Sequence, residues 1–154
     1  MAKKKQTTTK KIQNRRARFD YDLGDTIVAG IVLNGRETKS LRLGHGNLRG
    51  AYVNIRNGEV WLTNATITSS KGFSIEESEQ TQERKLLVKK REIDTLLEAK
   101  NQGKTIVPIE FLTGGRYIKI KIAAGKGLKK YDKRELIKKR DQKRSSQIEL
   151  KAAN

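Results

Sequence analysis

Apolar and polar residues alternate along residues 51–67, and a two-residue turn signal interrupts the alternation. Val53 and Ile55 alternate with polar neighbours, and Asn57-Gly58 follows them. An Asn-Gly pair between two such runs is typical of a type I′ turn, because both residues tolerate a positive φ. This stretch therefore predicts a β-hairpin.

A second alternating stretch covers residues 105–125, with Gly114-Gly115 at its turn. Three isoleucines after the turn repeat with a period of two: Ile118, Ile120 and Ile122. The residues that alternate with them face the other side of the strand: Tyr117, Lys119 and Lys121. We expect a second hairpin with one buried face and one wet, cationic face. Pro108 predicts an edge position or a bulge in its first strand.

Helical periodicity is clearest over residues 84–103, which end in a glycine suited to a helix C-terminus. At about 100° per residue, four apolar side chains share one sector of this predicted helix: Leu86, Ile93, Leu96 and Leu97. Leu87 points about 100° away from Leu86, so it lies at the flank of the buried face and is free to contact a partner. The spacing alone equally allows Leu87 to widen the buried stripe.

The rest of the pattern adds an apolar strand over residues 26–35, a short helical turn over residues 37–43 and a polar loop over residues 69–84. Phe73 and Ile75 could pair briefly as a strand inside that loop. Several short strands with one long and one short helix favour a mainly β fold. We predict an OB-type β-barrel of about six strands with flanking helices and disordered basic termini.

Charge divides the chain into three parts. The sequence has 35 Lys and Arg against 17 Asp and Glu, a formal net charge of +18. Residues 1–18 contribute +8, residues 19–124 contribute +3 and residues 125–154 contribute +7. This predicts a disordered basic arm over residues 1–13, a barrel over residues 14–124 and a basic tail that is disordered when free.

Terminal charge of this density typically neutralises phosphate, because the release of condensed counterions drives the binding. Solvated arms without a partner are the alternative. A membrane surface is a poorer match, since the arms lack the apolar face of an interfacial helix. The chain has no cysteine and no run near the roughly 20 apolar residues of a membrane span, so we expect a cytoplasmic protein without membrane contact.

Residue types for catalysis are sparse. His45, the single histidine, lies between glycines and is more typical of a surface loop than of a base or a metal ligand. Four loop carboxylates could in principle hold Mg²⁺, although their spacing is more typical of solvated side chains: Glu76, Glu77, Glu79 and Glu83. We therefore expect no enzymatic activity, no metal and no cofactor.

The segment NRRARFDY combines arginines with aromatic rings. Arg15, Arg16 and Arg18 can clamp phosphates in a forked geometry, and Phe19 and Tyr21 can stack on exposed bases. Alternatively, the two rings begin the first strand and face the core, which we expect for one of the two.

The basic tail carries a capping-box pattern at Asp132 and Glu135, which predicts a helix that starts at Asp132. A helix of about a dozen residues is marginal without tertiary packing. We therefore expect the tail to become helical on a polyanion. RNA fits better than duplex DNA, because the sequence has no helix-turn-helix or zinc-finger pattern.

Four blocks of the sequence resemble, in order from about residue 14 to residue 141, the SsrA-binding protein family, also called small protein B. They are NRRARFDY, AGIVLNGRETKSLRLGHGNLRGAYVNIRNGEVWL, RKLLVKKREID and AAGKGLKKYDKRELIKKRD. The resemblance implies an OB-type barrel that binds the tRNA-like domain of transfer-messenger RNA (tmRNA, SsrA), as a monomer in a 1:1 complex. It implies that the chain delivers tmRNA to stalled ribosomes, with the tail in the small-subunit decoding region and the vacant mRNA channel.

The resemblance also implies site residues. The RNA-binding positions are Asn14, Arg15, Arg16, Arg18, Lys39, Arg42, Asn47 and Leu87. The ribosome-directed positions of the tail are Lys126, Lys129, Lys130, Tyr131, Asp132, Lys133, Arg134, Lys138, Lys139 and Arg140. Val28 stands where the family carries an acidic residue linked to RNA binding, so that contact is absent or supplied elsewhere, as by Asp25. Arg36 stands where the family carries other residue types.

Two other readings of the residues stay open. The chain could be a ribosomal protein or an initiation-type factor built on the same barrel. It could also be a basic ribonuclease, although the missing acid–base pair argues against that activity.

Overall fold

The computed structural model describes residues 11–72 and 74–152, without the side chains of residues 130–132. The predictions for the first ten residues of the basic arm and for Phe73 lie outside these described residues. In chain order the elements are β1 (Ile12–Gln13), α1 (Arg15–Asp20), β2 (Tyr21–Ile31), α2 (Gly35–Arg42), β3 (Gly46–Asn47), β4 (Tyr52–Arg56), β5 (Glu59–Thr63), β6 (Thr66–Ile67), α3 (Glu77–Gln80), β7 (Arg84–Leu87), α4 (Lys90–Asn101), β8 (Thr105–Leu112), β9 (Lys119–Gly127) and α5 (Lys130–Ala152).

Seven strands form one antiparallel sheet in the order β1-β8-β9-β2-β7-β5-β4. β4, at one end of this order, lies against β8 near the other end, so the sheet curls back on itself. β3 and β6 form a separate two-stranded ribbon. This is the mainly β, OB-type barrel with flanking helices that the sequence predicts, with seven strands in the main sheet instead of about six.

Both predicted hairpins are present. β4 and β5 pair across Asn57 and Gly58, whose φ angles of 52° and 74° are those of a type I′ turn. β8 and β9 pair across residues 113–118, and their register shifts between Pro108 and Glu110, which is the predicted bulge. The three isoleucines of β9 and its approach are buried, as predicted: Ile118, Ile120 and Ile122.

Aliphatic side chains from the strands, α2 and α4 fill the barrel. The largest fully buried apolar side chains are Leu41, Leu48, Leu62, Ile67, Leu96, Ile120, Ile122 and Val60. Each contributes about 1.5–3 kcal/mol when it is removed from water. This interior, built from contacts between distant segments, is the main source of stability for a chain with so many charged residues.

The single helix predicted over residues 84–103 is wrong, because the segment splits into β7 and α4. β7 lies between β2 and β5, where Leu86 is opposite Val60 on one side and Ile31 on the other. A helix at this place would leave the backbone groups of two neighbouring strands unpaired inside the barrel wall. Leu97, expected on the buried face of the helix, is 36% exposed.

The barrel extends beyond its predicted limits of residues 14–124 at both ends. Ile12 is buried and pairs with β8, so the barrel begins before the predicted end of the basic arm. β9 continues to Gly127 alongside β2. A Cβ atom on Gly125 would lie 2.8 Å from Leu23 Cδ2, so this glycine permits close packing of two strands.

The tail forms the 23-residue helix α5, where the sequence predicts disorder in the free protein. The helix starts at Lys130, two residues before the predicted start, and it is about twice the expected length. Its composition explains the difference, because Lys, Arg, Glu, Gln and Leu are good helix formers and a longer helix dilutes the cost of nucleation. Disorder of the tail in solution stays a prediction. None of the described helices is long and apolar enough to span a membrane.

Candidate nucleic-acid interface

Asn14 is the N-cap of α1 and is 7% exposed. Its Oδ1 accepts a hydrogen bond from the Ala17 backbone N–H at 3.2 Å, and its Nδ2 donates to the carbonyls of Leu48 at 3.2 Å and Pro108 at 3.0 Å. Both amide protons are therefore used inside the protein. The structure places Asn14 as a brace that fixes α1 on the barrel. Its use in RNA binding, which the resemblance implies, stays a prediction.

α1 presents three arginines to solvent. Arg15, Arg16 and Arg18 are exposed, while Ala17 between them is 3% exposed and packs on the barrel. Arg16 Nε lies 3.4 Å from Asp20 Oδ2, an exposed pair one helical turn apart that leaves most of the cationic charge available. The candidate phosphate contacts are thus displayed together on one short helix.

A cleft of about 270 Å³ joins α1 to the tail helix. Arg15 and Arg18 line it from α1, and Arg140 lines it from α5. Glu110 also borders the cleft, and a hydrogen bond from Lys121 is the main cause that holds the pKa of this carboxyl below its usual range. The resemblance implies RNA contacts for the α1 arginines and a ribosome contact for Arg140, whereas the structure places Arg15, Arg18 and Arg140 around one cleft.

Two rows of residues cross the outer side of the sheet, and we call them together the outer face. The first row runs through Gln13, Glu110, Lys121 and Val28, from β1 to β2. The second row runs through Leu112, Lys119, Gly30 and Leu87, from β8 to β7. Because register neighbours in adjacent strands lie about 5 Å apart, the outer face is a continuous surface that starts beside α1.

Leu87 is 57% exposed at the end of the second row. It lies opposite Gly30, where a Cβ atom would be only 3.2 Å from Leu87 Cβ, so the glycine leaves room for the leucine. Leu86 beside it is 2% exposed. The predicted exposure of Leu87 is confirmed, but its cause is the alternation of a strand and not the flank of a helix.

Val28 is 46% exposed in the first row, opposite Lys121 of β9. A carboxylate at this position, as in the family pattern, would lie beside that lysine. Lys121 is instead paired with Glu110, with 3.0 Å between Nζ and Oε1. Asp25, the suggested substitute, is exposed where the β2–β9 register shifts between Leu23 and Thr26.

The candidate residues on and after α2 differ in their surroundings. Lys39 is exposed, whereas Arg42 is half-buried and donates from Nη2 to the Arg116 carbonyl at 2.8 Å. Asn47 is exposed, and its Oδ1 accepts from the Arg49 backbone N–H at 2.9 Å in a local turn. The guanidinium of Arg42 therefore holds the β8–β9 turn.

The other position that departs from the family pattern is Arg36, at the start of α2. Its Nη1 donates to the Ser74 carbonyl at 3.1 Å, so the guanidinium connects the helix to the loop that precedes α3. We therefore find a structural contact for Arg36 within the protein.

A buried ion pair holds α2 against the barrel, and the sequence analysis missed it. Arg84 Nε lies 3.4 Å from Glu37 Oε2, and both side chains are 2% exposed. Arg84 also donates to four backbone carbonyls, those of Ala65, Glu79, Gln80 and Gln82. Burial lowers the pKa of Arg84, and the charge of Glu37 acts in the opposite direction. The only sequence signal was a charged residue two positions before the buried Leu86, on the same face of the strand.

The aromatic residues of the first motif are both half-buried, so the expectation that one of them faces the core is wrong. Phe19 lies at the end of α1, with Lys133 Nζ 5.9 Å from its ring centroid. Lys133 Nζ also lies 3.0 Å from Asp20 Oδ1. These contacts attach the first turn of α5 to the end of α1.

The remaining tail positions lie along an exposed surface. Lys126 is exposed in β9, Lys129 is exposed just before α5, and four further cations are exposed on the helix: Arg134, Lys138, Lys139 and Arg140. The side chains of Lys130, Tyr131 and Asp132 lie outside the described residues. α5 holds nine basic and four acidic residues, so it presents a strongly cationic surface.

The residues weighed for catalysis or metal binding are dispersed. His45 is exposed in the loop after α2, as predicted. Glu83 bonds with Arg56 and Thr63 on the barrel surface. Within residues 11–72 and 74–152, no group of three or more acidic or histidine side chains is placed to hold a metal ion.

Comparison with known sequences identifies the family of this chain. The sequence model of the family described as "SmpB protein" matches residues 11–152. The chain belongs to the SmpB family. The match therefore covers the residues of β1, which the sequence analysis did not predict, and those of the tail helix α5.

Individual SmpB relatives agree with the family match. The chain is 42% identical to an "SsrA-binding protein" of Streptococcus suis (strain 98HAH33) over 143 residues, covering 92% of each chain. It is 41% identical to an "SsrA-binding protein" of Halalkalibacterium halodurans, covering 92% of this chain and 93% of the relative. A chain in the solved structure described as "tmRNA-SmpB: a journey to the center of the bacterial ribosome" superposes with a TM-score of 0.66 and 34% identity, covering 82% of this chain and 94% of that chain.

Proposed function

We propose that this chain is an adaptor of trans-translation that binds tmRNA, the SsrA RNA, and brings it to stalled ribosomes. The observation that carries the proposal is the match of the chain to the SmpB family. The structure supports it with three solvent-exposed arginines on α1, which lie beside the continuous outer face. Such an adaptor works by binding alone, without catalysis, and its ribosomal partner places it in the cytoplasm. It acts as a monomer in a 1:1 complex with the RNA.

The barrel carries the tmRNA contacts in this proposal. The arginines of α1 and Lys39 of α2 bind phosphates, and Leu87 provides an apolar contact on the outer face. Asn14 and Arg42 act as positioning residues, because their polar groups are used to hold α1 and the β8–β9 turn. Asn47, exposed on β3, lies ready for a further polar contact.

The tail carries the ribosome contacts. α5 extends from the barrel with its cations exposed over most of its length, which suits a channel lined by ribosomal RNA phosphates. A vacant mRNA channel in the small-subunit decoding region would accept such a helix, whereas an occupied channel would exclude it. The body then identifies the RNA, and the tail reports the absence of a message.

The test is the recovery of a tagged chain from a bacterial lysate, followed by sequencing of the retained RNA. We expect tmRNA to be strongly enriched over other structured RNAs, and the protein to be found on ribosomes mainly when they stall. The matched control replaces Arg15, Arg16 and Arg18 with Gln, which removes three exposed charges and leaves the Asn14 cap in place. Equal recovery of ribosomal RNA with and without stalling would support a ribosomal protein instead.

A second measurement addresses the ribonuclease alternative. Purified tmRNA is incubated with the protein and its length is followed on a denaturing gel. We expect the RNA to stay intact over hours, and progressive cleavage that depends on the protein would contradict the adaptor proposal.

A further inference from the structure

The turn between β8 and β9 displays an aromatic ring in solvent. Tyr117 is 70% exposed, the highest fraction among the large apolar side chains that the structure describes. A ring held in water forgoes the stabilisation that its burial would bring. An exposed aromatic side chain at a fixed position is therefore a candidate for contact with a partner.

The backbone beneath this ring is fixed on both sides. Arg42 of α2 donates to the carbonyls of Thr113 at 3.5 Å and Arg116 at 2.8 Å, so one guanidinium holds both ends of the turn. Thr113 and Ile118 are 7% and 5% exposed. The ring of Tyr117 is thus presented by an anchored turn between two buried residues, which lowers the entropic cost of a contact.

The surroundings of the ring select an anionic, flat ligand. The Arg116 guanidinium lies 5.5 Å from the Tyr117 ring centroid, and Lys119 is exposed two residues further on. The sequence has no acidic residue from Leu112 to Lys119. A Cβ atom on Gly114 would meet nothing within 4 Å, so the approach to the turn is open. An unpaired RNA base offers a π face for the ring together with a phosphate for the cations.

The turn also continues the surface that we propose for tmRNA. Tyr117 precedes Lys119 by two residues, with the buried Ile118 between them, so the two exposed side chains lie on the same side of the chain. Lys119 stands in the outer-face row that ends at Leu87. Tyr117 is therefore two residues along the chain from this row, on the side of the turn.

We propose that Tyr117 and Arg116 form a stacking site for one unpaired base of the bound RNA, with Arg42 as the positioning residue that holds the turn. The inference rests on the proposed function, since the RNA is the tmRNA bound by the rest of the outer face. The ring stacks on the base and the guanidinium of Arg116 pairs with the adjoining phosphate.

The test measures the affinity of the full-length protein for transcribed tmRNA with three substitutions at one position. Tyr117→Phe keeps the ring and should bind as the unsubstituted protein does. Tyr117→Ala and Tyr117→Leu should each weaken binding about tenfold, because stacking needs a π face and not merely an apolar side chain. The melting temperature should not change in any of them, since the side chain is largely exposed.

Salt dependence separates stacking from charge. Arg116→Gln should lower the slope of log K against log salt concentration by about one, whereas Tyr117→Ala should leave the slope unchanged. The matched control is Lys104→Gln, which removes one exposed charge at the opposite end of the same hairpin, about 25 Å away. It should affect neither the slope nor the affinity.

The outcomes distinguish this inference from the function on which it rests. If the unsubstituted protein fails to retain tmRNA, the proposed function and the stacking site both fail. If it binds tmRNA and Tyr117→Ala binds equally well, only the stacking site is refuted. Full affinity of Tyr117→Leu would show an apolar contact in place of base stacking, and loss of ribosome association without loss of tmRNA affinity would assign the turn to the ribosome. Either outcome would overturn the proposal.

Discussion

Leu86 and Leu87 look alike in the sequence, and the strand that contains them gives them opposite roles. Leu86 is 2% exposed inside the barrel, and Leu87 is 57% exposed on the outer face. The difference arises because successive side chains of a strand point to opposite sides. Exposure at this position is therefore a property of β7 and its neighbours, and it makes Leu87 available to a partner.

Leu87→Asp should reduce tmRNA affinity by roughly tenfold or more with little change in melting temperature. The new carboxylate would meet RNA phosphates, and a like-charge contact opposes binding more than the lost apolar contact does. Filter binding and thermal melting of the same preparation measure both effects. Leu86→Asp is the matched control and should unfold the barrel. A comparable drop in melting temperature for Leu87→Asp would show that Leu87 belongs to the core.

Asn14→Ala should destabilise the protein by about 1–3 kcal/mol, because it removes a helix cap and two buried hydrogen bonds, those to the carbonyls of Leu48 and Pro108. Urea denaturation measures the loss. Arg15→Gln, the next residue, should instead lower tmRNA affinity and leave stability unchanged. Unchanged stability of Asn14→Ala combined with weaker RNA binding would favour a direct contact over the bracing role.

At the level of secondary structure, one buried guanidinium links three elements. Arg84 of β7 pairs with Glu37 of α2 and donates to carbonyls at the end of α3. This connection orients α2, whose Arg42 in turn holds the β8–β9 turn. The candidate interface is therefore fixed by a chain of polar contacts that begins inside the protein.

Arg84→Met should lower the free energy of unfolding by about 3–5 kcal/mol, because it leaves the buried Glu37 carboxylate without its countercharge and removes the donor to four backbone carbonyls. Arg56→Met removes the same charge from an exposed pair with Glu83 and should cost about 1 kcal/mol or less. Chemical denaturation of both variants gives the comparison. Similar losses for the two variants would show that burial of the Arg84–Glu37 pair has no special effect.

On the scale of the whole molecule, charge and packing divide the chain differently. Charge divides it at residue 125, but strand pairing continues to Gly127, and the Leu128 N–H donates to the Asp20 carbonyl at 2.8 Å. Strand pairing therefore ends close to Leu128, and we expect removal of α5 to leave the barrel folded.

A chain that ends at Lys129 should keep most of its tmRNA affinity and lose ribosome rescue, because the barrel and α1 stay intact while α5 is removed. The moderate loss of affinity comes from Arg140 and the other tail cations. Tagging of a stalled nascent peptide in a purified translation system measures rescue. A chain that ends at Ala124 should melt at a lower temperature, since it lacks paired residues of β9. Parallel loss of affinity and rescue in the Lys129 variant would contradict the separate roles of body and tail.

The sequence by itself determined the features that depend on near neighbours. Both hairpins, their turns at Asn57-Gly58 and Gly114-Gly115, the bulge near Pro108 and the uneven charge follow from local patterns, because turn chemistry and side-chain alternation act over a few residues. The motifs that match the SmpB family were likewise legible without coordinates. These sufficed for the mainly β class and for the outline of the candidate site.

Only the tertiary structure decided which candidate residues are exposed and which are braces. β7 became a strand because the edges of β2 and β5 needed a partner, and Asn14 and Arg42 turned inward because distant carbonyls needed donors. Tyr117 stayed outside because its turn is anchored from α2. These outcomes depend on contacts between segments far apart in the chain, which local periodicity does not encode, and burial of backbone and polar groups is the physical cause in each case.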